Sequence, residues 1–581
     1  MPRAPIPHRC RKSFFVDRTA CRAYIPVPVR QAGGTSINPQ RASTGAATNH
    51  VVLRSKRVSS PIEFNRQRYS KLEEIRARGI DPYPVRYDVT HPAQTILDQA
   101  EALIESTEPV TVAGRITSKR GHGKSGFAHL LDRTGRIQVY VRLDRVGQDA
   151  YEVYDQLIEV GDYLGVKGAV FTTRTGETTV MADELTLLSK SLRALPEKWH
   201  GLRDIETRYR QRYVDLIINP GVKEVFLKRS RLIRSIQRFM DGEGFIEVET
   251  PILQPLYGGA LARPFKTHHQ ALDMPLYMRI ADELYLKRLI VGGMERVYEI
   301  GHDFRNEGID RTHNPEFTML EFYIAYVDYQ YIMDLVERLF VAVFEEVNGT
   351  LEHTYQDQAI DLSPPWPRIP MLDAIREYSG IDVAGLTTAE LAAVCGERGL
   401  DVDADLGRGR MIDGLFEHFV QDRLVNPTFI TDYPVEISPL AKRRRDDPDL
   451  TERFELFICG SEFANAFTEL NDPVDQRRRF EEQVEMQRKG DGEAHTMDED
   501  FLRAMEYGMP PTGGCGIGID RLAMLVTDSA NIKDVLLFPH LRREVFEDGP
   551  GGPDGVEDDA EGGPDEADGR PARVSGAQDV E

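Results

Sequence analysis

The stretch FRNEGIDRTHNPEFTMLEFY, residues 304–323, places fixed charges beside large aromatic side chains and so restricts what the chain can fold into. Its two ends suit strands, and GIDRTHNP between them has the residues of a connecting turn. Side chains alternate along a strand, so Arg305 and Glu307 are expected on one face of the first strand. The matching face of the second strand would carry Phe317, Met319, Glu321 and Tyr323. Because unpaired buried charges are costly, this surface must be hydrated or filled by a ligand.

The segment SEFANAFTELND repeats this pattern of charge and aromatic residues. Asn465, Phe467 and Glu469 alternate along it and would share one face of a strand. Glu462 lies seven residues before Glu469, and in a regular strand two residues at an odd spacing point to opposite faces. A bulge in the intervening ANA would be needed to bring both carboxylates to one hard cation such as Mg2+. Without the bulge, Glu462 is an exposed residue with no metal to bind.

The glycine-rich stretch GGCGIGIDR near residue 520 has two interpretations. Small residues on a strand let a flat ligand approach the backbone, and Arg521 at the start of a helix can then meet a phosphate or stack on a ring. Close packing of the strand against a helix would explain the same glycines. The sequence contains neither a GxxxxGK[ST] loop nor a convincing GxGxxG motif, so any bound nucleotide is held by side chains.

Residues 110–188 contain five short alternating segments separated by turn signals, which is typical of a small closed barrel of the oligonucleotide-binding (OB) type. Basic residues cluster around Phe127, and Gln138 lies on the next segment. Cations beside an exposed aromatic ring suit the binding of unpaired bases. Alternatively, Phe127 belongs to the barrel core and the cations form a hydrated hairpin. The basic cluster comprises Arg115, Lys119, Arg120 and Lys124.

The two ends of the chain have opposite charge bias. Of the formal charge of -22, half lies after residue 543, whereas the first 60 residues contain a single acid, Asp17. We expect a basic disordered extension (1–62), a helical segment (63–108), an OB domain (109–195), a larger domain (205–543) and an acidic disordered tail (544–581). The basic extension could be an organelle transit peptide, a flexible arm or the product of a start codon assigned too far upstream.

Three further features concern the compartment and the assembly. The cysteines form no CxxC pair, which favours a reducing, cytosolic compartment over zinc or disulfide chemistry. No apolar run is long enough to cross a membrane, so no membrane partner is expected. An amphipathic helix at about 223–242 leads into IEVETPIL, predicted as a strand closed by Pro251. Together they could form a dimer interface or an ordinary surface.

Residues 63–543 resemble the bacterial lysyl-tRNA synthetases, a family of class II aminoacyl-tRNA synthetases. VETPIL is similar to the end of the first class motif, FRNEG with HNPEFTMLEFY to the second, and GIGIDR to the third. RYRQRYVDLI, GGALARPF, ELYLKRL and FTELND resemble stretches of the lysine enzyme. The resemblance implies an α+β protein, with an anticodon-binding OB barrel followed by an antiparallel sheet flanked by helices, that works as a homodimer.

The resemblance also implies roles for the residues of the adenylation reaction. Arg305 would bind the α-phosphate of the co-substrate ATP, and Arg521 would close over the nucleotide as the second catalytic arginine. Phe317 would stack on adenine, with Glu307 near its amino group. The implied ATP-binding residues are Arg305, Glu307, His313, Phe317, Glu462 and Arg521, and Glu462 and Glu469 would bind Mg2+.

Further residues are implied for amino-acid and tRNA recognition. L-Lysine has a long apolar stem and a compact cation, which need aromatic walls and fixed acceptors. The implied lysine-binding residues are Glu283, Glu321, Tyr323, Asn465, Phe467 and Glu469. The implied anticodon-binding residues are Arg115, Arg120, Phe127, Gln138 and Glu177, which would bind tRNA(Lys) in the cytoplasm.

One position departs from the family pattern. Thr312 stands before His313 where some members have a basic residue that could contact the γ-phosphate, and Arg311 could replace it with a different reach. Three other functions compete with the lysine enzyme. They are an aspartyl- or asparaginyl-type synthetase, a relative that modifies a protein with lysine, and an inactive relative that binds tRNA or nucleotide.

Overall fold

The computed structural model of the protein describes residues 66–196, 202–400, 407–488 and 496–542. The extension predicted at 1–62, with its proposed transit peptide, and the acidic tail predicted at 544–581 lie outside these ranges. Within them, none of the helices combines the length and the apolar character needed to cross a membrane.

Three helices precede the barrel: α1 (Arg66–Ala77), α2 (Ala93–Asp98) and α3 (Ala100–Ser106). The helix predicted at the start of the folded chain is present as α1, which buries Leu72 and Ile75. The second predicted helix, from Ala93 to Glu105, is divided in two. The division falls at Gln99, whose ψ of 18° departs from helical geometry.

The predicted OB barrel is confirmed. Its strands are β1 (Val110–His122), β2 (Ser125–Leu131), β3 (Arg136–Arg142), β4 (Tyr163–Thr172) and β5 (Thr178–Ser189), closed in the order β1-β2-β3-β5-β4. Between β3 and β4 lie α4 (Leu143–Val146), α5 (Gln148–Glu152) and a π-helical turn, Val153–Leu157. Alternate residues such as Val112, Leu130 and Val139 fill the barrel core, as the period of two requires.

The larger domain is built on an eight-stranded sheet with the order β14-β15-β16-β17-β18-β11-β10-β6. The neighbouring pairs from β15 to β10 are antiparallel, as expected, whereas the edge pairs β14/β15 and β10/β6 are parallel. The sheet strands are β6 (Ile246–Glu247), β10 (Arg296–Phe304), β11 (Glu316–Ala325), β14 (Arg368–Pro370), β15 (Thr428–Thr431), β16 (Arg453–Ile458), β17 (Ser461–Thr468) and β18 (Thr512–Gly518). Outside it lie β7 (Leu253–Gln254), β8 (Lys266–His269) and β9 (Met274–Met278) in one small sheet, and β12 (Glu352–Tyr355) and β13 (Gln358–Asp361) in another.

Helices cover one face of this sheet, and the opposite face borders a cavity. Phe322, Ala466 and Ile517 of three adjacent strands belong to one apolar core with residues of the helices α8, α10 and α16. The helices of the domain are α6 (Ile205–Arg210), α7 (Arg212–Ile218), α8 (Pro220–Gly242), α9 (Glu283–Val291), α10 (Tyr329–Val347), α11 (Met371–Ser379), α12 (Thr388–Glu397), α13 (Arg408–Phe419), α14 (Pro473–Arg488), α15 (Glu499–Glu506), α16 (Ile519–Thr527) and α17 (Ile532–Val535), with 3-10 turns at Gln421–Arg423 and Val435–Ile437.

The segment IEVETPIL does not form the single strand that was predicted. Only Ile246–Glu247 pairs with β10, and Leu253–Gln254 joins the separate sheet of β7, β8 and β9. The intervening chain contains Pro251, which has no N–H for a central ladder. The helix before it begins at Pro220, three residues earlier than predicted, because proline is favoured in the first turn of a helix.

The predicted hairpin is present, but its first strand is shorter than expected. The strands β10 and β11 pair from Arg296 opposite Ile324 to Phe304 opposite Glu316. The placement of Arg305 and Glu307 on the face of that strand is therefore wrong, since both lie in the loop. The N–H of Glu307 turns back to the carbonyl of Arg305, which ends the ladder.

Candidate active site

A cavity of about 500 Å³ opens on the free face of the central sheet. The predicted face of β11 is confirmed, because Phe317, Met319, Glu321 and Tyr323 all line this cavity. The other predicted residues that line it are Glu283, Arg305, Glu307, His313, Glu462, Asn465, Phe467 and Arg521. The structure thus brings together every residue predicted for ATP and lysine except Glu469.

One end of the cavity is rich in arginine. The guanidinium of Arg305 lies 5.1 Å from the centre of the Phe317 ring. Arg521 donates hydrogen bonds to the Glu462 carbonyl, at 2.8 Å, and to Nε2 of His313, at 3.0 Å. Nδ1 of His313 lies 2.8 Å from Asp310, and its other ring nitrogen must therefore be unprotonated to accept from Arg521. Such an end suits a phosphate beside a flat ring.

The glycines of β18 allow close packing against a helix, as one interpretation predicted, and the approach of a flat ligand stays a prediction; alternate glycines face opposite sides of the sheet. A Cβ on Gly513 would meet the Ile332 side chain of α10 at 2.7 Å. A Cβ on Gly514 would meet the ring of Tyr323 at 2.3 Å, on the cavity side. One glycine therefore permits close packing of the helix, and the next makes room at the site.

The other end of the cavity is acidic and walled by aromatic rings. Glu321 is 7% exposed and accepts a hydrogen bond from the hydroxyl of Tyr323 at 3.1 Å. Glu283, the first residue of α9, is 5% exposed, and Phe467 forms part of the wall. Burial raises the pKa of Glu321 well above its usual value, and the neighbouring carboxylates Asp282 and Asp303 raise it further. A ligand that brings a positive charge would relieve this repulsion.

Glu469 lies behind this acidic end instead of lining the cavity. Its carboxylate is 1% exposed and pairs with the ammonium of Lys287, which also binds Glu283. The same ammonium lies 5.3 Å from the centre of the Phe467 ring. Burial raises the pKa of Glu469 to about 8; Lys287 opposes this shift and Glu283 adds to it.

The predicted metal pair of Glu462 and Glu469 is wrong as a pair. The bulge is present, because Glu462 pairs with Phe457 and Ala464 pairs with Leu456, its neighbour. The bulge places Glu462 and Glu469 on the same face of the strand. At about 3.3 Å per residue, however, seven residues of strand separate the two carboxylates by roughly 20 Å. One ion cannot bind both.

Glu455 is the carboxylate that faces Glu462. Burial raises the pKa of Glu455 to about 7, and Glu462 raises it further, although Arg453 donates a hydrogen bond to Glu455 at 2.6 Å. Two carboxylates that repel each other at the arginine-rich end of the cavity are suitable ligands for a hard divalent cation. Glu455 precedes Glu462 by seven residues on the adjacent strand, so the sequence contained the same spacing twice.

A second carboxylate cluster lies beneath the acidic end. Asp282, Asp303 and Glu321 each offer an oxygen within 4.8 Å of the others. The guanidinium of Arg279 is 3.1 Å from Asp303 and 4.0 Å from Asp282, so it supplies positive charge to the cluster. Burial raises the pKa of Asp282 to about 6, and Arg279 opposes the shift. No sequence pattern predicted this cluster, because its members are distant along the chain.

The OB barrel presents a second surface. Phe127 stacks on Tyr140 with ring centres 4.3 Å apart, and it lies outside the core, so the alternative that placed it in the core is wrong. Gln138 donates a hydrogen bond to Glu177 at 2.7 Å. The exposed Arg120 lies opposite Phe127 on the adjacent strand. Four of the five residues predicted for the anticodon thus share one surface.

Two of the basic residues expected on this surface are engaged elsewhere. Arg115 donates to the carbonyl of Gly161 at 2.9 Å and packs on the ring of Tyr163. Arg115 pairs with Leu131 on β2, four residues or roughly 13 Å from Phe127, so it stands apart from the other four residues, and its role in anticodon binding stays a prediction. Lys119 donates to the carbonyl of Ile158 at 2.8 Å, and burial lowers its pKa to about 8.

Comparison with known proteins matches this geometry to one family. A family model described as tRNA synthetases class II (D, K and N) matches residues 204–542, and one described as OB-fold nucleic acid binding domain matches residues 110–188. The chain belongs to the class II tRNA synthetases. It is 58% identical to the lysine–tRNA ligase of Pelotomaculum thermopropionicum over 483 residues, which are 83% of this chain and 95% of that one. It is 57% identical to the lysine–tRNA ligase of Carboxydothermus hydrogenoformans, over 83% of this chain and 98% of that one.

Sequence reasoning missed three residues of this synthetase that contact or line the site. Lys287 stands in the quoted stretch ELYLKRL, where a helical spacing of four from Glu283 indicates an ion pair. Glu455 lies seven residues before Glu462, the same separation that Glu462 has from Glu469. Arg410, at the start of α13, lines the cavity but is distant in sequence from every class motif, so no local pattern identified it.

Proposed function

We propose that the chain is a lysine–tRNA ligase. It activates L-lysine with ATP to form lysyl-adenylate and pyrophosphate, and then transfers the lysyl group to the 3′ end of tRNA(Lys). The observation that carries this proposal is the polarity of the single cavity. Arginines and Phe317 lie at one end, and buried carboxylates with aromatic walls lie at the other. Its similarity to two lysine–tRNA ligases, at 58% and 57% identity, agrees with this function.

The choice of lysine follows from the charge of the acidic end. Glu283, Glu321 and Tyr323 would hold the two ammonium groups, and Phe467 would pack on the apolar stem, with Asn465 beside it. The aspartate carboxylate would be repelled by the same groups. A substrate that lacks the side-chain ammonium would leave buried carboxylates unpaired, which penalises it strongly.

Activation proceeds by positioning and charge stabilisation. The lysine carboxylate attacks the α-phosphorus in line, a phosphorus–oxygen bond to pyrophosphate breaks, and its electron pair leaves with the pyrophosphate. Arg305 and Arg521 stabilise the charge that develops on the α-phosphate. Phe317 and Glu307 hold the adenine. The terminal ribose hydroxyl of the tRNA then attacks the carbonyl carbon of the adenylate, the bond to AMP breaks and AMP leaves with its electron pair. No nucleophile from the protein is needed.

The residues of the cavity fit Mg2+ at the phosphate end. Glu455 and Glu462 are the pair that would hold it, because they offer oxygen ligands whose mutual repulsion a cation relieves. When bound, Mg2+ neutralises charge on the phosphate oxygens. Glu469 is excluded from this role by its separation from Glu462 and by its ion pair with Lys287.

The tRNA partner and the assembly follow the same proposal. Arg120, Phe127, Gln138 and Glu177 would read the anticodon by stacking and hydrogen bonds, in the cytoplasm.

We also propose a homodimer, because the segment after α8 exposes a run of apolar side chains that a second copy would cover. These are Ile246, Ile252, Leu253 and Leu256, which are 42–53% exposed. Light scattering on the purified chain tests this state.

Amino-acid-dependent exchange of pyrophosphate into ATP tests the proposed function. The assay is run on the full chain with each of the twenty amino acids in turn. We expect exchange with lysine to exceed that with any other amino acid. Exchange driven by aspartate or asparagine would support the related synthetases. No exchange with any amino acid, despite ATP binding, would support an inactive relative.

A further inference from the structure

At the tip of the hairpin, no lysine or arginine lines the phosphate end of the cavity. Thr312 lines the cavity where a cation would be expected to meet the outer phosphates. The neighbouring Arg311 does not replace it. Its guanidinium donates to the carbonyl of Ala530, at 3.3 and 3.4 Å, and it does not line the cavity.

Arg410 supplies a cation at this place from a different element. It lines the cavity together with Thr312, His313, Glu462 and Arg521. The side chain is half-buried, and within the described ranges it has no hydrogen-bond or ion-pair partner. Arg410 acts on Asp413 and Glu417 only through space, where it opposes the burial that raises the pKa of both carboxyls. An arginine beside a cavity with its donors unused is available to a ligand.

The fold fixes the direction from which Arg410 approaches. Its helix, α13, begins after Gly407, whose φ of 92° lies in the left-handed region. A Cβ on Gly409 would lie 3.0 Å from Glu436 and Ile437, so the first turn packs directly against the segment that borders the cavity. Arg408 anchors the same turn by donating to the carbonyl of Leu386 at 3.2 Å. These contacts hold Arg410 at the cavity with little freedom in the backbone.

We propose that Arg410 binds the β- and γ-phosphates of ATP and stabilises the pyrophosphate as it leaves. The proposal rests on the proposed function, because it assigns a residue to the ATP of that reaction. A planar guanidinium with five donors suits a bidentate contact with phosphate oxygens. The α13 region thereby takes part in activation, although it is separated in sequence from all three class motifs.

Isothermal titration of the full-length Arg410→Met variant tests this role with two ligands. The first is ATP, and the second is a non-hydrolysable sulfamoyl analogue of lysyl-adenylate, which has no β- or γ-phosphate. We expect ATP to bind at least tenfold more weakly and the analogue to bind within twofold of the unmodified protein. Equal weakening of both ligands, or unchanged ATP affinity, would overturn the proposal.

Two further variants complete the experiment. Arg311→Met removes the neighbouring cation and should leave both affinities within twofold; a loss of ATP affinity there would assign the contact to Arg311 instead. Arg410→Lys keeps a charge without the guanidinium fork and should bind ATP with intermediate affinity, which provides a test if the methionine variant does not fold. If the unmodified chain shows no lysine-dependent exchange, the proposed function fails. If Arg410→Met shows normal exchange and normal ATP affinity, the role of Arg410 is overturned and the proposed function stands.

Discussion

The ammonium of Lys287 forms an ion pair with the carboxylate of Glu469 directly behind the acidic end of the cavity. Both side chains are 1% exposed, and Lys287 also pairs with Glu283 on its own helix. A buried carboxylate without a partner would take up a proton or move. The pair therefore holds the charge and position of the groups that form the lysine pocket.

Replacement of Lys287 by methionine should weaken lysine binding selectively. Removal of one partner from a buried ion pair costs about 3–5 kcal/mol of stability, because the other charge is left unpaired. We expect the KM for lysine in pyrophosphate exchange to rise at least tenfold and the KM for ATP to change less than threefold. Lys190→Met is the matched control. Lys190 is buried in the barrel, where it pairs with Asp162 at 2.8 Å, so its loss should lower the melting temperature without affecting the KM for lysine.

Lysine activation should depend on pH through the same cluster. Burial raises the pKa of Glu469 to about 8, so the fraction of this carboxyl that is ionised and able to pair with Lys287 falls as the pH drops below 8. The kcat/KM for lysine should rise from pH 6.5 to pH 8.5, with an apparent pKa that belongs to the coupled carboxyls. Lys287→Met should move this rise to higher pH. A flat profile for lysine, or the same profile for ATP, would contradict the assignment. The titratable groups around this cluster are Asp282, Glu283, Glu321, Tyr323, Arg453 and Cys515.

The two ends of the cavity should respond to different substitutions. Glu283→Gln removes a negative charge at the acidic end, and a hydrogen bond to a charged group contributes about 1.5–3 kcal/mol. The KM for lysine should rise about ten- to hundredfold, because each 1.4 kcal/mol is about tenfold. Glu307→Gln, at the nucleotide end, should raise the KM for ATP and leave that for lysine nearly unchanged. Similar losses for both substrates in either variant would argue against the polarity of the site.

Much of the site could be predicted because the alternation of side chains between the two faces of a strand depends only on local sequence. Phe317, Glu321 and Tyr323 follow one another at spacings of two or four, so their shared face could be read from the sequence before any fold was known. The family resemblance added the roles. Arg305 and Glu307 were misplaced on a strand because the end of a ladder depends on partners distant in sequence, here the carbonyl of Arg263, which accepts a hydrogen bond from the N–H of Asn306.

Contacts between segments that are distant along the chain could not be predicted from the sequence. The separation of Glu462 from Glu469 can be counted along the strand, but only the pairing of β16 with β17 brings Glu455 to Glu462. Arg115 is basic and near Phe127 in sequence, yet the carbonyl of Gly161 engages it. Arg279 and Arg410 act across segments that only the fold brings together.

Mg2+ binding should be linked to the ionisation of Glu455. Burial and Glu462 raise the pKa of Glu455 from 4.5 to about 7 in the folded protein. Between these values the folded protein holds a proton that the unfolded chain has released, so the contribution of this group to stability falls as the pH rises from 4.5 to about 7 and then stays constant. Mg2+ binds the ionised form, and should therefore raise the melting temperature more at pH 8 than at pH 6. Glu455→Gln should abolish this difference, whereas Glu469→Gln should preserve it. The opposite result would restore Glu469 as a metal ligand.

Loss of the Phe127 ring should separate tRNA recognition from amino-acid activation. Phe127 stacks on Tyr140 at the barrel surface, beside the hydrogen bond from Gln138 to Glu177. A base stacked on an aromatic ring contributes about 1–3 kcal/mol, so Phe127→Ala should raise the KM for tRNA(Lys) about tenfold or more. Pyrophosphate exchange needs no tRNA and should stay within twofold. Tyr163→Ala is the control, because it removes an exposed aromatic residue on the part of the barrel where Arg115 is held. An equal effect of both variants on aminoacylation, or a parallel loss of exchange, would mean that Phe127 stabilises the barrel and does not stack on the anticodon.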